Sequence, residues 1–345
     1  MIQLSMNNQE RIMKKISFIV LVNILILFTN SAKAITVYDN NISALNINAL
    51  SDVLMSYVNY GDNMFDLFEK PIVYGTMRRV DEYGDDGSTL SSSTSSRATD
   101  SFINNIWFNA NHFNAEMHYG KNISEHSRLN LATVGATTKN IELNRGNISF
   151  GGFASYINTK ISDIKANGYS IGAFSNYKYN IFGAKALLDT GALNNRISGF
   201  KHDNSWFNIA TSVYTDLKLD DTFYFEPSLY VGYMLVWSDE LRVNSNKVTS
   251  RNYNFFNITP ELKFIKKISD NWFGALSGKY VAHFGGKNDI HVNGIRQSGL
   301  YLDDHSDIGI DVEYRLNNFI FGGKIHAMLG GIDGWNSNLN IKYMF

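Results

Sequence analysis

The chain has 345 residues, no cysteine, three prolines, 14% aromatic residues and a formal net charge of −1. Missing cysteines exclude a disulfide scaffold, a thiol nucleophile and thiolate-bound zinc, and the near-neutral balance excludes the basic footprint of a nucleic-acid-binding protein. Abundant Tyr, Phe, Asn and Gly favour strands and turns, and a mean hydropathy of −0.19 suits either a soluble protein or a barrel whose strands alternate lipid-facing with polar residues.

Residues 1–12 carry no pattern and read as an upstream extension or a misplaced start. Residues 13–34 read as a signal peptide: Lys14-Lys15, an apolar core from Ile16 to Thr29, and the small-x-small site Ala32-Lys33-Ala34 with cleavage after Ala34. The apolar run is shorter than the roughly 20 residues of a spanning helix. Residues 35–100 form a short N-terminal segment. In it Leu50, Val53, Leu54, Tyr57 and Val58 repeat at helical spacing, and Met64, Phe65 and Phe68 resume the stripe beyond Gly61. About 20 helical residues span about 30 Å, enough to run through a membrane-depth pore or to lie on a surface. The Ser-rich run Ser88 to Ser96 then reads as a polar linker.

Over 101–345 the period is two. Tyr169, Ile171, Ala173, Tyr177 and Tyr179 oppose Ser170, Gly172, Asn176 and Lys178; Ile308, Ile310, Val312, Tyr314 and Leu316 oppose Asp307, Gly309, Asp311, Glu313 and Arg315. Charges filling one face of a strand mean that this face is wet. The pattern predicts an all-β membrane barrel of about twelve antiparallel strands, the first two near Ile106 to His112 and Leu129 to Ile141. Tight links at Asn144 to Asn147, Tyr179-Asn180, Leu219 to Asp221, Ser269 to Asn271 and Asn317-Asn318 alternate with longer ones at Phe113 to Arg128, Asn158 to Asn167, Leu193 to Asn204, Ser238 to Asn252 and Gly285 to Asp304. That asymmetry is expected of short periplasmic turns and long outer loops. Outward Tyr177, Tyr179, Trp237, Trp272, Tyr280, Phe284, Trp335 and Tyr343 fit interfacial girdles. The last strand places Trp335, Leu339, Ile341, Tyr343 and Phe345 on one face and Asn336, Asn338, Asn340 and Lys342 on the other.

The closing Gly334 to Phe345, together with Gly151-Gly-Phe-Ala-Ser-Tyr156, Gly168-Tyr-Ser-Ile-Gly-Ala173 and Phe225-Glu-Pro-Ser-Leu-Tyr230, resembles the translocator domain of the autotransporter family. The resemblance implies a twelve-stranded barrel in the outer membrane of a Gram-negative-type envelope, folded by the barrel-assembly machinery, with an N-terminal helix in the pore and a passenger exported through it. It also implies that Leu339, Ile341, Tyr343 and Phe345 form the assembly signal. Two features depart from the family: only residues 35–100 are available as passenger, and the Ser-rich linker separates the candidate helix from the first strand.

The wet-parity charges Lys185, Asp189, Glu226, Glu261, Lys263, Lys279, Asp311, Glu313, Arg315, Lys324 and Lys342 are expected to line the pore, with His283, Asp307 and His326 beside them. They guide or hold a segment, or they are the polar lining that any water-filled barrel needs. Gly168-Tyr-Ser-Ile-Gly172 matches the hydrolase G-x-S-x-G pattern, but Ser170 lies early in an alternating strand with no helix after it. Asp303-Asp-His-Ser-Asp307 is a candidate cation or acid-base site that a solvated loop explains more simply, and Asn40-Asn41 and Asn104-Asn105, the Asn-Asn bonds at which the resemblance would place passenger release, lie outside the family's cleavage motif.

The expectation is therefore a barrel that is not an enzyme and needs no cofactor. It inserts through its C-terminal strand and translocates or retains its own N-terminal segment, in contact with outer-membrane lipid and with no nucleic-acid partner. A porin-like channel, a barrel whose loops Ser238 to Asn252 and Gly285 to Asp304 bind a surface ligand, and an outer-membrane hydrolase are the alternatives. Deletion of Phe345 is expected to abolish outer-membrane assembly while export across the inner membrane continues, as read by cell fractionation.

Overall fold

Alternating strands in lipid have one stable arrangement: each must find a partner on both edges, because an unpaired backbone N–H or C=O has no water there to bond. The computed structural model describes residues 103–118, 124–161, 164–197, 200–243, 246–250, 253–285, 290–292, 294–297 and 302–345. The expected signal peptide with Ala34, the helix and the Ser-rich linker lie outside the described residues.

Twelve long strands follow in order: β1 (Ile103–His118), β2 (Ser124–Thr138), β3 (Asn147–Ile161), β4 (Ile164–Tyr179), β5 (Phe182–Ile197), β6 (Phe200–Thr215), β7 (Phe223–Ser238), β8 (Tyr253–Lys267), β9 (Trp272–Gly285), β10 (His305–Leu316), β11 (Phe319–Gly330) and β12 (Ile332–Met344). Each pairs antiparallel with its sequence neighbours, and β12 returns to β1 in register from Asn105↔Met344 to Met117↔Ile332, which closes the barrel. The start of β1 and the end of β12 share one mouth. There Asn180 (φ 53°) and Asn317 (φ 51°) take the left-handed conformation that a two-residue turn needs and Asn tolerates. At the turn before β7, Asp220 accepts from the backbone N–H of Thr222 at 2.7 Å and of Phe223 at 2.8 Å, and these bonds, with one from the Thr222 hydroxyl, hold its carboxyl below the usual range.

At the opposite mouth the connections differ from the sequence expectation. Segments 113–128, 158–167 and 193–204 are mostly strand, leaving only 119–123, 162–163 and 198–199 between strand ends. The alternation of tight and long links therefore fails at these three places. Long excursions remain at 239–252 and 286–304. Leu241–Val243 and Asn246–Ser250 form one hairpin, Ile290–Val292 and Ile295–Gln297 another, and the two join edge to edge as a separate four-stranded sheet.

The three segments looked like loops because the two faces of the wall exchange polarity along the strands. Near the shared mouth and midway up, apolar residues face outward: Leu339 is 67% exposed, Ile325 65% and Ile310 62%. Such exposure would be anomalous in water and is ordinary in lipid. Toward the far mouth the outward residues become Asn114, Glu116, His126, Arg128, Asn130, Asn158 and Asn167, while Phe113, Met117, Leu129, Leu131, Ile157, Ile161 and Ile164 are buried on the inward side. A strand of about 16 residues is about 50 Å long, or about 40 Å of height at a tilt of about 40°, against an apolar band about 25 Å tall. The upper part of the wall therefore stands in water and folds by the rule for water.

Inside, large rings lie over glycines on the paired strand. Trp107 covers Gly135, Phe153 covers Gly172, Phe174 covers Gly151, Trp206 covers Gly191 and Tyr214 covers Gly183, each a direct cross-strand pair. A Cβ at Gly135 or Gly191 would overlap the indole. Gly135→Val and Gly191→Val are expected to destabilise the barrel by about 1–3 kcal/mol through overpacking, seen as a lower temperature for loss of the folded band on a heat-modifiability gel. Gly278→Ala, whose Cβ would have only the Asp307 carbonyl oxygen at 3.9 Å, should migrate like the parent.

Candidate functional site

The lumen is built by the inward parity of all twelve strands, and its lining divides into zones. On β1 to β3 the inward residues of the lower and middle wall are uncharged, including Asn105, Asn109, Asn111, Thr133, Thr137, Ser149 and Ser155. At the closing seam these meet the wet face of β12. Asn111 Nδ2 donates to Asn336 Oδ1 at 2.6 Å and Asn338 Nδ2 to Asn109 Oδ1 at 2.7 Å, so a side-chain ladder doubles the backbone ladder that closes the barrel.

The opposite wall, β7 to β11, carries most of the charge, and the register alternates its sign. Glu226 is paired across the ladder with Lys263, Glu261 with Lys279, Lys279 with Asp307, and Asp311 with Lys324. Lys279 Nζ lies 3.0 Å from Asp307, and Lys263 Nζ lies 3.7 Å from Glu226 and 3.9 Å from Glu261. Arg315 Nε donates to Glu313 at 2.8 Å with its guanidinium over the Phe273 ring. Opposite charges directly across a ladder stabilise it, and each gains a neighbour of opposite sign that a lone inward charge would lack. On β5, Asp189 accepts from Trp206 Nε1 at 2.9 Å and from Asn208 Nδ2 at 2.7 Å, and Lys185 lies over the Tyr214 ring. Lys342 is buried on the inward parity of β12.

Above these zones the lining is apolar. Phe113 and Met117 of β1, Leu129 and Leu131 of β2, Ile157 and Ile161 of β3, Leu193 of β5, Trp206 of β6, Met234 and Val236 of β7, Met328 of β11 and Ile332 of β12 belong to one buried cluster, which Leu302 joins from the segment before β10. The sequence alone hides this collar, because the segments that contribute to it read there as loops. The signal was present: Ile157, Thr159, Ile161 alternate with Asn158 and Lys160 in the opposite sense to the strand below.

Two sequence candidates for chemistry fall apart in space. Ser170 is buried on the inward face in the middle of β4, paired with Ser155, with no strand-to-helix elbow around it. Within the acidic run, Asp304 accepts from Tyr280 Oη and from the His283 N–H, each at 2.8 Å, whereas Asp307 faces Lys279 inside. The expected girdle aromatics Trp237, Trp272, Phe284, Trp335 and Tyr343 stand on the outward parity, and Tyr343 packs against Phe319 and Phe345 at 5.0 and 5.1 Å beside the chain end. Leu339 and Ile341 share that face, and Phe345 is tied by its N–H to the Asn104 carbonyl at 2.9 Å.

A family model described as "Autotransporter beta-domain" matches residues 106–324. Among solved structures, the transport unit of the autotransporter AIDA-I from Escherichia coli is similar with a TM-score of 0.62 at 13% identity, covering 74% of this chain and 93% of that one. The translocator domain of NalP from Neisseria meningitidis gives 0.59 at 10% identity over 88% and 99%, and the β-domain of the Bordetella autotransporter BrkA gives 0.58 at 12% identity over 70% and 100%. At these identities the likeness is one of fold. No curated protein matches the chain.

Lys279 sits between two acids, Glu261 and Asp307, on adjacent strands. Lys279→Met is expected to destabilise the folded barrel by about 1 kcal/mol or more by leaving like charges across the lumen wall, measured as a lower urea midpoint in detergent, and Lys279→Arg should restore most of the loss.

Proposed function

Because the chain belongs to the autotransporter family through its β-domain and is an outer-membrane barrel, we propose that it inserts with β12 as the closing strand and retains its own N-terminal segment in the lumen. The apolar collar carries this reading. The collar's side chains are buried, and apolar surface kept out of water is stabilised by roughly 25 cal/mol per Å², so the collar favours an apolar occupant over water. The stripe of Leu50, Val53, Leu54, Tyr57 and Val58 is the segment of this chain with that character. An extended polar passenger sliding past the same collar would lose hydration at each amide, about 1–3 kcal/mol per unsatisfied group. Retention is therefore favoured over free passage. The charged lower lumen is suited to the wet face of the same segment.

The aromatic and aliphatic face of Leu339, Ile341, Tyr343 and Phe345 is, in this proposal, what the assembly machinery reads. The position of Phe345 next to β1, at the edge the closing strand must find, supports that role. The long outer hairpins remain open to a surface ligand, and nothing in the proposal requires catalysis.

The chain contains no cysteine, so introduced thiols report proximity cleanly. Leu54→Cys combined with Met234→Cys is expected to form an intramolecular disulfide on mild oxidation of intact cells, while protease added outside leaves residues 35–100 uncut. Absence of the cross-link together with cleavage of that segment by external protease would overturn retention. In planar bilayers the full chain should pass little current and a chain lacking residues 35–100 more; a steady open pore in the full chain would favour a channel.

A further inference from the structure

On the outer face of β2 to β6, near the far mouth, five cations stand in one cross-strand row. Arg128 is opposite Lys160, Lys160 opposite Lys165, Lys165 opposite Arg196 and Arg196 opposite Lys201. All five are exposed. Neighbouring strands are about 4.8 Å apart, and like charges directly opposite one another destabilise a sheet, so four successive like pairs favour an anion from outside. Among the described residues no carboxylate pairs with any of the five. The polar contact of Arg128 is from Nε to His126 Nε2 at 3.3 Å. Asp203, one outward position from Lys201, accepts instead from Asn194 Nδ2 at 2.7 Å, and Glu116 accepts from the Ser124 hydroxyl at 2.5 Å.

The rows beneath locate this one relative to the bilayer. Directly below lie Asn130, Asn158, Asn167, Asn194 and Asp203, paired in the same order. Next come Ala132, Tyr156, Tyr169, Ala192 and Ser205, in which the Tyr156 and Tyr169 rings touch at 5.3 Å and Tyr169 is 69% exposed. Below them the outward residues include Val134, Ile171 and Phe207. From the hydrocarbon row to the cation row is six residues, about 20 Å of strand, or about 15 Å of height at a tilt of about 40°. The cations stand about 10 Å above the tyrosine row, at the outer side of the headgroup layer, and long cationic side chains can reach several ångströms back toward it. Across the seam the row ends: Asn114 faces Arg128 and Trp335 faces Asn114. Among the described residues the cation row therefore runs over β2 to β6 and stops at β1.

We propose that this row is a binding site for the phosphate groups of an acidic lipid in the outward-facing leaflet. The two arginines offer paired N–H donors to phosphate oxygens and the three lysines act as point charges beside them. Basic clusters next to an apolar span are drawn to anionic lipid in this way. A soluble polyanion fits less well, because the row faces radially outward two rows above an outward tyrosine pair, at the height where the headgroups of a surrounding bilayer would stand.

The test places the full chain in phosphatidylcholine nanodiscs doped with diphosphoryl lipid A and measures lipid A retained by the barrel after detergent exchange, using native mass spectrometry. The parent should retain lipid A in preference to phosphatidylcholine and lose it at high salt. The triple variant Lys160→Gln, Lys165→Gln, Arg196→Gln should lose it severalfold, whereas Lys139→Gln with Lys266→Gln at the opposite mouth should not. Equal retention by the parent and the triple variant overturns the proposal. So does heparin or inorganic phosphate displacing lipid A from the parent at equal concentration, which would assign the row to a soluble anion. Heat modifiability reports whether each variant is folded. Should the triple variant fail that check, Lys160→Gln and Lys165→Gln are measured singly, and unchanged retention in both is equally decisive.

Discussion

The pairing of β12 with β1 is the interaction on which everything else depends. Eleven hairpin-type pairings can form between sequence neighbours, but until the twelfth ladder closes, two strands keep a row of unpaired backbone groups that the hydrocarbon core cannot satisfy. The chain secures this seam twice, through the backbone register from Asn105↔Met344 to Met117↔Ile332 and through the inward asparagine ladder of Asn109, Asn111, Asn336 and Asn338. The bond from the Phe345 N–H to Asn104 extends the ladder to the last residue.

Closure creates an inside whose character follows from strand length. Strands taller than the apolar band emerge into water, and there the inward face takes over the apolar residues. One barrel consequently contains two kinds of interior: a polar lumen at membrane depth, where wall charges pair in alternating register, and an apolar collar above it. The same exchange on the outer surface replaces lipid-facing side chains first with asparagines and then with the cation row of β2 to β6. Collar and cation row are two consequences of a single inversion.

Membership of the autotransporter family explains the barrel, and the particulars of this chain modify what such a barrel would do. The neutral wall of β1 to β3 faces the charged wall of β7 to β11, giving the lumen two unlike sides against which an amphipathic segment can orient. Rings laid over glycines, such as Trp107 on Gly135 and Trp206 on Gly191, keep the inner wall tightly packed where small residues would otherwise leave gaps.

The amino-acid sequence by itself determined the strand type, the inward parity and the terminal strand, because side-chain direction in a strand has a period of two whatever surrounds it. Lys279, Asp311 and Lys342 could be placed on the wet face, and Leu339 and Ile341 on the dry one, from alternation alone. It did not determine where strands ended at the far mouth. Around Ile157 to Ile164 the alternation continues but its meaning reverses, and nothing local tells whether Lys160 is polar because it lies in a loop or because its strand has left the membrane. Register was equally hidden: that Arg128, Lys160, Lys165, Arg196 and Lys201 share a row is fixed by cross-strand pairing between residues distant in sequence. Only the closed tertiary structure decided these points, since both the height at which a strand meets water and the neighbour it meets there are properties of the assembled barrel.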